Sequence, residues 1–148
     1  MQKWMKTALV ILLAAVVQCV SLSAYSPKGA AVIFSCNREA FMQAARDALA
    51  AGSGAEVRRP FGVDEIQMGP NPAGKGYYVE FQMGGSGLGP STAYWGVMFS
   101  EGGPLGFQGV PLDYTPDGNG WSWEEPDGDN RSHIIPLEEN WYLYHIHF

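Results

Sequence analysis

Glycine, proline and acidic turn sequences cut everything after Gly52 into short segments, and one stretch of the chain reads as a helix. Asn37 is a good N-cap, Arg38 to Ala51 follows, and Gly52 supplies the stop. Phe41, Ala45, Ala48 and Leu49 fall on one face of that helix, while Gln43, Arg46 and Asp47 fall elsewhere. Its small alanines suit a close approach to a sheet.

The remainder reads as strands and turns. Val63 to Met68 is a weak strand, followed by a loop from Gly69 to Gly76. Tyr77 to Met83 alternates, with Tyr77, Val79, Phe81 and Met83 on one face and Tyr78, Glu80 and Gln82 on the other. Ala93 to Phe99 is apolar on both faces, as a central strand covered on both sides would be. Phe107–Tyr114, Gly120–Glu124, Arg131–Ile135 and Asn140–Phe148 are the remaining strand candidates. Pro-Asp-Gly turns at Pro116 and Pro126 separate the middle ones. These segments predict an α+β fold, with one N-terminal helix packed on an antiparallel β-sheet meander. A β-sandwich carrying the helix at its edge is the alternative.

The N-terminus gives an address. Lys3 and Lys6 precede an apolar run from Ala8 to Val17, and Ser21-Leu22-Ser23-Ala24 offers small residues for cleavage. This is the pattern of a secretory signal. The uncharged run from Thr7 to Pro27 has 21 residues, enough to span a bilayer if it is kept. Residues 1–24 are therefore a signal peptide or a membrane anchor, residues 25–148 a single α+β domain, and the location extracytoplasmic. Gln18 before Cys19 argues against lipidation there.

Charge excludes one class of partner. From Glu101 onward nine acids face a single base, Arg131. Nucleic-acid binding needs a basic footprint, so no nucleic acid is expected. A basic partner or a cation is compatible with this field, and so is plain solvation of acidic turns.

Several residues are candidates for chemistry. Cys36 stands just before the helix N-cap, where helix polarity favours a thiolate. A nucleophile there would need His133, His145 or His147 within hydrogen-bond reach. A cysteine at a helix start with histidines on later strands is the order found in papain-like cell-wall hydrolases, although Phe34-Ser35-Cys36-Asn37 lacks their surrounding motif. A buried structural thiol and an intermolecular disulfide are the other readings of Cys36. His145-Ile146-His147 on a strand projects both rings to one face. Pairing Ile135 with Trp141 would bring His133 to that face, diagonal to His145, and three imidazoles suit Zn²⁺. Without that convergence the histidines are surface groups, and no cofactor is expected. Trp121 and Trp123 share a strand face and form a stacking platform if it is open; Tyr94 and Trp95 extend the aromatic set. The Gly84–Thr92 segment has Pro90 where a phosphate loop needs lysine, and a strand follows where a helix is needed. It reads as a tight turn.

Gly85-Ser86-Gly87, Pro90 to Ser100, Gly120-Trp121-Ser122-Trp123, Gly128-Asp129-Asn130, Asn140 to Tyr144 and a terminal Phe148 occur in an order that resembles small exported or lipid-anchored bacterial proteins of unassigned function. The resemblance covers residues 84–148 and implies export without implying an activity. The leading functional expectation is a non-catalytic extracytoplasmic binding protein that contacts a protein or glycan partner. A Cys/His hydrolase using Cys36 and a histidine-based metal-binding protein are the alternatives.

Overall fold

A computed structural model describes residues 26–72, 75–88 and 91–148. The expected signal or anchor, Cys19 and the tip residues Gly89 and Pro90 lie outside these. Among the described residues two helices precede the strands, where the sequence predicted one. The additional helix, α1, spans Pro27–Cys36, and α2 spans Arg38–Ala51. Ser26 caps α1: its Oγ accepts the Gly29 N–H at 3.1 Å, and Pro27 takes the first helical position, where its missing N–H costs nothing. Asn37 is not the side-chain cap of α2. Its Nδ2 donates to the Ile33 carbonyl at 2.9 Å, and its backbone N–H also serves the end of α1. The asparagine closes one helix rather than opening the next.

The strands are β1 (Glu65–Pro70), β2 (Tyr77–Leu88), β3 (Ser91–Ser100), β4 (Thr115–Asp117), β5 (Gly120–Glu124), β6 (Arg131–Glu138) and β7 (Trp141–His147). They form one antiparallel sheet in the order β1-β2-β3-β7-β6-β5-β4. An α+β fold with an antiparallel sheet is therefore observed. The sheet is two meanders, β1–β3 and β4–β7, joined at its centre where β3 pairs with β7.

The two helices lie on one face. Ala30, Ile33 and Phe34 of α1 and Phe41, Ala44, Ala45 and Ala48 of α2 are buried against Val79, Phe81, Val97, Trp141 and Leu143. Phe34 sits 4.9 Å from the Trp141 ring and 5.4 Å from Phe41, which in turn meets Phe81 at 5.2 Å. The alanines let α2 approach closely enough for these rings to interlock. Gly84 serves the same face, since the Trp95 indole lies where its Cβ would be.

The opposite face is covered by the long connection 101–114, which leads from β3 to the far edge strand β4. This strap explains two departures from the sequence reading. Phe107–Gly109 is a short 3-10 turn and Val110–Tyr114 is irregular, so no strand forms where one was predicted. Glu80, placed by alternation on a polar face, is instead 1% exposed beneath the strap. There its carboxylate accepts the Tyr144 O–H at 2.8 Å and the Gln108 N–H at 2.7 Å. Gly96, opposite Tyr144 on the ladder, leaves the space that the phenol occupies. Burial pushes the Glu80 carboxyl up to about 7, against the two hydrogen bonds, which favour its ionised form.

The final hairpin is longer than predicted. Pro136 and Glu138 remain in β6, with a register shift between them, and the chain turns at Glu139–Asn140, where Asn140 has φ 62°. Ile135 therefore pairs with Leu143 rather than Trp141. The two-residue change keeps every side chain on its face and moves His133 from diagonal to directly opposite His145.

Candidate functional site

On the helix face, α1 begins beside Ile135, Leu143 and His145, and neither of the two described helices extends over the sheet beyond that point. Row by row, Trp95, His145, His133, Ser122 and Thr115 lie side by side across β3, β7, β6, β5 and β4. The next row toward the end of the sheet is Ala93, His147, Arg131 and Glu124. Cross-strand pairing puts all these side chains on one face. The result is a polar strip where β3, β6 and β7, a few residues away along each strand, carry the apolar core.

The strip lines a cleft of about 220 Å³ bounded by Asp117, Glu124, Arg131 and the three histidines. The His145 and His147 rings are 4.3 Å apart, and His133 Nδ1 stands 3.6 Å from Asp117 Oδ2. Arg131 faces Glu124 across the ladder and has no ion pair among the described residues. Burial lowers the His145 proton affinity, with smaller like-charge contributions from His147, Arg131 and His133. Burial and Arg131 lower that of His147 in the same way. Both imidazoles are thus biased toward the neutral state near pH 7.

His133 and His145 also form one wall of a second, apolar cleft of about 430 Å³, closed by Pro27, Lys28, Ile135 and Leu143. A polar and an apolar recess therefore share a histidine wall at the start of α1. The first suits hydrogen bonding to a ligand and the second suits burial of its apolar surface.

The other expected residues fall elsewhere. Cys36 is exposed and ends α1. At 1.5 Å per residue it lies about 13 Å along the helix from Pro27, and Pro27 is at the histidine end. Arg38, two residues past Cys36, binds Glu138 at 2.8 Å, at the opposite end of β6 from His133. The structure does not bring the thiol and the imidazoles together. The exposure also differs from the buried thiol considered above. Among the described residues, no three His, Cys, Asp or Glu side chains are arranged to hold a metal ion.

The four aromatic candidates do not make one surface. Trp121 and Trp123 are half-buried on the strap face, with Trp121 6.1 Å from the Tyr142 ring, and Trp123 also borders the histidine cleft. Tyr94 is on that face too, stacked on Phe107 at 4.8 Å with 8° between the planes. Trp95 points the other way, is buried, and meets His145 edge-on at 6.3 Å. Adjacent strand positions cannot contribute to one platform.

Arg131 was visible in the sequence as the lone base of the acidic half. Asp117 was not: it lies in a segment that reads as a turn and forms β4 only by pairing with β5. The chain matches no family model, no curated protein and no solved structure.

Proposed function

We propose that this chain is a non-catalytic binding protein that works outside the cytoplasm and contacts a glycan or protein partner through the strip beyond α1. The observation that carries the reading is the pair of clefts sharing His133 and His145. One recess offers donors and acceptors and the other offers Ile135 and Leu143. Recognition surfaces combine these two kinds of wall. The separation of Cys36 from the histidines favours binding over Cys/His hydrolysis. The extracytoplasmic setting rests on the basic and apolar N-terminus and its small-residue cleavage site, and on the exported proteins that the C-terminal half resembles.

Chemical-shift mapping with a panel of neutral and acidic saccharides tests this reading, together with in-place crosslinking of protein partners. We expect perturbations at Ile135, Leu143 and His145. Saccharides that leave these residues unmoved, with crosslinks confined to other surfaces, would overturn it.

A further inference from the structure

We infer that the strip formed by Arg131, His133, His145 and His147 is an oxyanion site, taking the carboxylate of an acidic sugar or a phosphate group. The inference deepens the reading of the strip as a binding surface and rests on it.

Four basic side chains from two neighbouring strands converge on one cleft in the half of the chain that is otherwise acidic. Register enforces the convergence. Arg131 is opposite His147, His133 is opposite His145, and His145 and His147 project to the same side of β7. A one-residue slip would scatter them between faces. Arg131 presents a planar fork of donors, the geometry that holds carboxylate and phosphate oxygens in pairs. Neutral imidazoles each add a ring N–H, and protonated ones add two. Lys28, in the first turn of α1, stands at the adjoining cleft.

Every charged group facing the strip bears on this balance. From β4, Asp117 is close to His133, and from β5, Glu124 is across from Arg131. Neither pairs with Arg131, and the cations disturb one another: Arg131 lowers the proton affinity of both His145 and His147. An oxyanion bound between them would reverse that sign. It would draw protons onto the imidazoles and so bind more tightly as pH falls from neutral toward 6. The arrangement suits an anion better than a metal: among the described residues no three His, Cys, Asp or Glu side chains are grouped to hold a metal ion, and Arg131 adds a cationic donor.

The test follows the histidine ring protons of the metal-free protein by NMR from pH 5 to 8, with inorganic phosphate, with glucuronate, and with chloride at equal ionic strength. We expect saturable upward shifts of about one unit in the His145 and His147 titrations with at least one oxyanion. Chloride should leave them near their starting points, and the stronger of the two oxyanions identifies the source. Arg131→Gln should abolish the response. His147→Gln should weaken it, and retained methyl shifts of Ile134 and Val97 report that each variant is folded. Equal, non-saturating shifts in all three salts would mean screening alone and would overturn the inference. So would a response that survives Arg131→Gln, or tight Zn²⁺ uptake by the three histidines without an oxyanion response. Neutral saccharides that perturb Ile135 and Leu143 while oxyanions do nothing would remove the oxyanion site and leave the binding surface standing. If neither acts and the protein crosslinks fall on other surfaces, both fall.

Discussion

Two halves of strand β7 face the same way and live in different environments. Trp141 lies under the helices in a dry core against Phe34, Phe81 and Phe99, and Leu143 is buried beside it with one edge on the apolar cleft. His145 and His147, two and four residues beyond Leu143, lie past the start of α1 and line an open cleft. Backbone, face and partners are continuous between them. The difference is the point at which a helix begins, and that point is set by Ser26 and Pro27. A sheet face thus becomes core or open cleft according to what is laid on it, and one capped helix end draws the boundary.

The sharpest way to break this comparison is to place a charge in the dry half. Phe41 is fully buried between the two helices and the sheet. Phe41→Asp should destabilise the fold by several kcal/mol, since an unpaired buried carboxylate adds its desolvation to the lost ring contacts. Urea melts should show little cooperative transition left. A midpoint equal to that of the parent would mean that the helices do not hold the sheet.

The strap face offers a second contrast, now in pH. Glu80 keeps its proton to about pH 7, so the folded state binds it more tightly than the unfolded state. That contribution is fully present below the ordinary carboxylate range and is lost as pH rises toward about 7. Glu80→Gln should flatten the stability profile between roughly pH 5 and 7. His145 and His147 act in the opposite sense. With proton affinities lowered by folding, they favour the unfolded state as pH falls through the ordinary histidine range. A Glu80→Gln profile with the parent's slope in the acid-to-neutral window would place the titrating group elsewhere.

The boundary itself is tested by Ser26→Ala. Removing the hydroxyl that caps α1 should lower stability by about 1 kcal/mol. It should also speed amide exchange in the first turn of α1, with α2 unaffected. Equal exchange in both helices would show that the cap does not mark the edge of the core. The smallest effect is expected in the open half. His147→Gln should change stability by less than about 0.5 kcal/mol, as substitutions outside packed regions do. A loss comparable to a core substitution would make the strip part of the core and would end its comparison with Trp141 and Leu143.

The central strands were legible because their residues are apolar in a pattern that only a covered sheet satisfies. Tyr77–Met83, Ala93–Phe99 and Gly120–Glu124 formed where alternation and apolar runs place them. The helix start at Ser26-Pro27 was also written in the chain, as a capping residue followed by a proline, although the apolar run before it concealed the signal. Shared orientation of His145 and His147 followed from strand period alone. The presence of His133 directly across from His145 did not, because Pro136 reads as a turn residue and yet stays in β6. Pairing with β7 outweighed the local preference.

What sequence alone determines here is local: which segments are helical or extended, which side chains share a face, and that one base stands among nine acids after residue 100. Tertiary structure decided the rest. It brought the β4 edge to His133 through Asp117, drew the strap over Glu80, and set Cys36 at the far end of α1 from the imidazoles. The reason is physical. Periodicity acts through bonds a few residues long, whereas the identity of a face depends on which distant segment excludes water from it.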